Sequence, residues 1–166
     1  MRPTAPRPAF LLLLLALIAA PAAAQHLGVA TAGLRAGLGD DPDQAVFGFA
    51  FDLGEVAPRL RLQPSLDFAI GDDGFESVGL LVPVHYRFPP LGAFNPYAGG
   101  GLQLAYLDFG DRGRRRDRSD FDIAPVAVGG FEFPLGRGTG LQRLSVELEV
   151  GGGNAYDARV LFGVMF

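Results

Sequence analysis

Three residue types are missing from the 166-residue chain: cysteine, lysine and tryptophan. Without cysteine there is no disulfide, no thiolate metal ligand, no thiol nucleophile and no lipid-modified N-terminal cysteine. All basic residues are arginine, and acids outnumber them 18 to 14, for a net charge of −4. That balance argues against a nucleic-acid partner. Histidine occurs twice, as His26 and His85. Asp40, Asp41 and Asp43, like Asp72 and Asp73, read as turn residues rather than metal ligands. No metal or cofactor is expected. Beyond residue 24 no apolar run is long enough for a transmembrane helix, so residence in a membrane would have to be through strands.

The first 24 residues have the parts of a secretory signal peptide. Arg2 and Arg7 form a basic start, Phe10 to Ala20 an apolar stretch too short to span a bilayer comfortably, and Ala22-Ala23-Ala24 a small-residue cleavage site. Residues 25–166 are then expected to form one domain.

That domain alternates with a period of two, the signature of strands with two different faces. In the last stretch, Ala158, Val160, Phe162, Val164 and Phe166 share one face, and Asp157, Arg159, Leu161, Gly163 and Met165 the other. The same pattern recurs over 26–38, 44–53, 59–70, 77–88, 95–106, 121–133 and 143–150. Pro64 interrupts the third run, since it cannot donate to a ladder, and suggests a bulge there. The parity of 121–133 is the least distinct, because its middle is apolar on both sides. Eight strands of about ten residues, tilted by about 40°, cover roughly 25 Å, the height of an outer-membrane apolar band.

One face of nearly every strand is Leu, Val, Phe and Ala without a charge. The other mixes Gly, Ser and Gln with charged residues: Arg35, Arg59, Arg61, Arg87, Arg143 and Arg159 against Asp52, Asp67, Glu132, Glu147 and Glu149, with His85 among them. A soluble, lipocalin-like barrel would instead carry its charges outside. The expected fold is an all-β, eight-stranded, antiparallel up-and-down transmembrane barrel. Slipping the strand around Leu66 by one residue would turn its charges to lipid, at a cost on the order of 5 kcal/mol. Phe68, Tyr86, Phe88, Tyr106, Phe121, Phe133 and Phe166 fall near strand ends, as interfacial girdles would. An eight-stranded barrel is just wide enough for its own side chains to fill. Near-balanced inward charges should therefore pair, with one cluster around Glu147, Glu149 and Arg159.

The segments Tyr86-Arg87-Phe88-Pro89, Asn95-Pro96-Tyr97-Ala98-Gly99-Gly100-Gly101 and Val164-Met165-Phe166 resemble the eight-stranded outer-membrane proteins of the OmpA, OmpX and opacity-protein kind. The resemblance implies residence in the bacterial outer membrane after export through the periplasm, with outer-membrane lipid and lipopolysaccharide as surroundings. It implies an assembly signal at Phe162, Val164 and Phe166, read by the barrel-assembly machinery, although Gly163 is the only glycine in that strand. It also implies both termini in the periplasm, so that the turns near Asp40, Asp72, Arg115 and Asn154 face outward. A monomer is expected.

Among barrels of this size, the resemblance to a lipid A deacylase would need a His-x-Ser pair near the C-terminus. Gly151-Gly152-Gly153-Asn154-Ala155-Tyr156 contains neither residue. His85 reads as a hydrogen-bonded lumen residue, and no enzyme is expected. Arg112, Arg114, Arg115, Arg116 and Arg118 could bind the phosphates of a polyanion. Asp108, Asp111, Asp117 and Asp120 nearly balance them, and a solvated loop is the simpler reading. The leading function is a structural or surface-interaction role with a plugged lumen. A narrow channel for small solutes is the alternative, and a lipid-modifying enzyme the least supported.

Overall fold

The computed structural model describes residues 28–109, 118–135, 140–151 and 153–166. The described chain forms ten strands: β1 (Thr31–Gly39), β2 (Gln44–Asp52), β3 (Glu55–Ala57), β4 (Leu60–Leu62), β5 (Ser65–Gly71), β6 (Phe75–Arg87), β7 (Asn95–Phe109), β8 (Arg118–Pro134), β9 (Arg143–Gly151) and β10 (Ala158–Met165). Strands β2 and β3 form one arm of a hairpin and β4 and β5 the other, so the chain makes eight traverses. All pairings are antiparallel, and β1 pairs with β10 to close the sheet, with Gly33 opposite Met165 and Gly39 opposite Arg159. Closure leaves the traverses without a free edge, the condition for placing strands in lipid.

Alternation decides which side chains point where. In β2, Phe47, Phe49 and Phe51 face out while Gln44, Val46, Gly48, Ala50 and Asp52 face in. The less distinct strand, β8, follows the same rule: Phe121, Ile123, Pro125, Ala127, Phe131 and Phe133 are exposed, and Ala124, Val126, Val128 and Glu132 are buried. Leu38, Ile70, Leu102, Ile123 and Phe162 are all more than half exposed on this outer surface. So continuous an apolar exterior would be an aggregation surface in water and is a lipid-facing belt in a membrane.

Pro64 departs from the expected bulge. Leu62 pairs with Val84 and Ser65 with Leu81, so the register against β6 passes through Gln63-Pro64 unshifted. The Pro64 carbonyl accepts the Phe51 N–H at 2.8 Å, although the proline ring returns no donor. The irregularity lies in the facing arm, between Glu55 and Ala57, just beyond Gly54 with its φ of 93°. The β7–β8 hairpin also runs further than expected, with Asp108 opposite Ser119 and Phe109 opposite Arg118. Beyond the lipid, backbone pairing can continue without apolar side chains to signal it.

The turns near Asp40, Asp72 and Asn154 lie at one end of the barrel, the far end. Gly28, Phe166 and the turns near Arg59 and Leu91 lie at the other, the termini end. The interior has two kinds of wall. Phe75, Leu81, Ala105, Leu107, Val126 and Val128, from β6, β7 and β8, make an apolar side. Strands β1, β2, β4, β5, β9 and β10 supply most of the charge.

Candidate functional site: the charged lumen

Two clusters fill the charged side. The first lies towards the far end and is built on Arg35 of β1. Its guanidinium grips Asp67 of β5 with two parallel bonds of 2.7 Å, from Nε and Nη2. It also donates to Glu147 at 2.9 Å and to Glu149 at 2.7 Å, both on β9. Arg159 of β10 sits directly opposite Glu149 in the ladder and donates to it at 2.5 Å, and it reaches Asp67 at 3.1 Å. None of these five residues is more than 8% exposed. Fork-like charge-assisted bonds of this kind are the strong ones.

Two tyrosines complete this cluster. Tyr97 of β7 donates its hydroxyl to Glu147 at 2.7 Å, and Tyr156 donates to Glu149 at 3.0 Å. The Arg159 guanidinium also lies over the Tyr156 ring, 4.0 Å from its centroid. The Tyr97 ring crosses the backbone of β8 at Gly130, where a Cβ would stand 2.7 Å from the hydroxyl, so only glycine leaves room for it. Gly48 does the same for Asp67, whose carboxylate occupies the space a side chain on β2 would need.

The second cluster forms a mouth at the termini end. Arg61 of β4, Arg87 of β6 and Arg143 of β9 converge on Glu132 of β8, at 3.2, 3.3 and 3.0 Å. Arg61 and Arg143 also reach Asp52 of β2, at 3.2 and 2.7 Å. Gln63 is a more distant partner of Arg143, at 3.4 Å. Here the arginine side chains are 12 to 29% exposed. Between the clusters lies a void of about 10 Å³, room for roughly one water. Arg35, Gln63, Ser145 and Glu147 are among its walls.

Arg59 joins neither cluster. It occupies the β3–β4 turn with φ 66° and is exposed, because the turn begins before the inward parity of that arm is established. His85 is buried and stacked on Tyr97, with ring centroids 4.8 Å apart, yet its Nε2 has no hydrogen-bond partner. At Nε2 it is a packed ring rather than the hydrogen-bonded residue its position suggested. Phe162 and Phe166 face outward, Val164 is partly exposed between them, and the Phe166 N–H bonds to Ala32 across the seam at 2.9 Å. Arg112, Arg114, Arg115 and Arg116 lie outside the described residues, and of Arg118 only the backbone, at the start of β8, is described. Among the described residues no group of His, Asp and Glu could hold a metal ion.

Tyr97 and Tyr156 are the members of the lumen that sequence reasoning missed. For Tyr97 a signal existed: its odd number puts it on the inner face of its strand. Tyr156 precedes β10 and belongs to no alternating run.

A closed sheet, apolar outside and charged within, defines a transmembrane β-barrel. Residues 9–160 match the family model described as the outer membrane protein beta-barrel domain, and the chain belongs to that family. It is therefore an integral protein of the bacterial outer membrane. Solved structures share the eight-stranded fold. The N-terminal β-barrel domain of Pseudomonas aeruginosa OprF superposes with a TM-score of 0.57 at 14% identity, over 82% of this chain and 96% of that one. Neisserial surface protein A superposes with a TM-score of 0.55 at 13% identity, over 81% and 93%. No curated protein matches the sequence significantly.

Proposed function

We propose that this barrel has a structural or surface-interaction role in the outer membrane, and that its lumen is a plug. The far cluster carries the reading. Five ionisable groups, none more than 8% exposed, are bonded to one another across the interior. A conducting pore would need rings of one sign along a wider path. Here opposite charges interlock, and taking one partner away strands a buried charge. The looser mouth is what favours the rival reading, a narrow channel.

The reading includes an orientation, with the termini end in the periplasm and the far end outside. A protease added to intact cells should then cut first within residues 112–118. Cleavage seen only after the outer membrane is opened would reverse the orientation. Phe162, Val164 and Phe166 are proposed as the signal read by the assembly machinery. Deleting Phe166 should reduce the heat-modifiable folded band on an unboiled gel. The plug itself is tested in a planar bilayer, where the purified protein should give little or no steady current. A large, stable, ion-selective current would defeat the plug and promote the channel.

A further inference from the structure

We infer that the mouth at the termini end is a binding site for a small solute oxyanion of the phosphate class. Charge is the first reason. The mouth holds three arginines, Arg61, Arg87 and Arg143, against two carboxylates, Asp52 and Glu132. The far cluster has the opposite imbalance, two arginines against three carboxylates, and there tyrosine hydroxyls supply further donors. Among the described residues that meet in the mouth, the surplus is cationic.

Donor count is the second reason. Each guanidinium offers five N–H groups and no acceptor. The Nε atoms of Arg61 and Arg87 are buried without an acceptor. Arg143 Nε lies 3.0 Å from Glu132, but out of line for a hydrogen bond. A buried donor left unpaired costs more than a typical bond returns, so these groups favour an added acceptor. Arg87 is the least committed of the three. Its one described ion pair is 3.3 Å long, and its side chain is the most exposed of the set.

Shape and access give the ligand class. The three arginines come from β4, β6 and β9 and converge on one point, Glu132. Such a set suits an anion with several oxygens, each able to meet a guanidinium fork. The arginines stand on the inner face of the barrel, where a lipid headgroup on the outer surface cannot reach. The interior of an eight-stranded barrel has little room beyond its own side chains, which selects a small ion. The site does not depend on whether the lumen conducts.

The test uses the full folded protein in nonionic maltoside micelles with labelled arginine Nε groups, titrated with inorganic phosphate at constant ionic strength set by chloride. The Nε–H signals of Arg61 and Arg87 should move saturably, while those of Arg35 and Arg159 stay in place. Arg87→Gln should weaken binding by at least about tenfold, the loss of one charge-assisted bond. Arg59→Gln, changed at an exposed turn of the same end, should bind as the unaltered protein does. A heat-modifiable band for each variant establishes that it is folded. Drift without saturation, an equal response to chloride, or undiminished binding by Arg87→Gln would overturn the assignment.

Discussion

The far cluster and the mouth are built from the same chemistry, arginine and carboxylate on the inner face of strands, yet they are held differently. In the far cluster Arg35 makes four hydrogen bonds of 2.7 to 2.9 Å to three carboxylates, and two tyrosines cover the oxygens that remain. In the mouth most contacts are 3.0 Å or longer, and Nε groups go unused. The difference follows from where each lies. Mid-barrel charges have no water to fall back on, so only near-complete mutual satisfaction makes them tolerable. Towards the strand ends the arginine side chains are 12 to 29% exposed, so water reaches part of each guanidinium even though Asp52, Glu132 and the Nε groups stay buried, and pairing there is less complete. In one narrow barrel, then, a charge network is close to fully satisfied in one place and keeps spare donors in another.

Substitutions can break that contrast, and they should rank by position. The largest loss is expected for Arg35→Ala, which leaves Asp67, Glu147 and Glu149 with Arg159 as their remaining cation. It should lower stability by about 3–5 kcal/mol, the cost of breaking a buried pair. Glu147→Ala comes next, at roughly 3 kcal/mol, because it strands one contact of Arg35 and the Tyr97 hydroxyl. Tyr97→Phe, which removes one donor from Glu147, should cost about 1–2 kcal/mol. Glu132→Ala should cost about 1–2 kcal/mol although the carboxylate is buried, since Arg61 and Arg143 keep Asp52 and all three arginine side chains are 12 to 29% exposed. Arg59→Ala should fall within about 0.5 kcal/mol of the unaltered protein. Denaturant titrations followed by the folded gel band or by circular dichroism give all five; tryptophan emission cannot, as the chain has none. An equal loss for Arg35→Ala and Glu132→Ala would erase the distinction between the two clusters.

The facing of the strands was legible because lipid enforces it. In Gln44–Asp52 the phenylalanines fall on alternate positions, and a slip of one would turn Asp52 outward. The same logic reached β8 despite valines on its inner side, since the outer side still held no charge. What alternation could not mark was any backbone outside the lipid. The β7–β8 hairpin extends to Phe109 and Arg118 through Asp108 and Ser119, whose side chains carry no facing signal. Arg59 was numbered into a strand by parity, but a positive-φ turn ends the inward pattern before it. The charged residues of the interior could be named from sequence, whereas their sorting into two clusters could not. That sorting depends on contacts across the barrel, such as Arg35 to Glu147, between residues far apart in the chain. Of the two tyrosines, Tyr97 carried the inward parity of its strand, whereas Tyr156 precedes β10 outside any alternating run, and in both only the hydroxyl turned to a carboxylate reveals the use.

Exchange of arginine Nε–H protons with water, measured by NMR on the folded protein in micelles, tests the central contrast most directly. If the far cluster is a seal, its guanidiniums meet water only when the barrel opens, whereas Arg87 is partly exposed and its Nε–H has no acceptor to protect it. The signals of Arg35 and Arg159 should exchange slower than that of Arg87 by at least about a hundredfold, a difference set by the free energy of opening. Equal exchange across all three would show that water reaches the far cluster as freely as the mouth, and the lumen would have no seal.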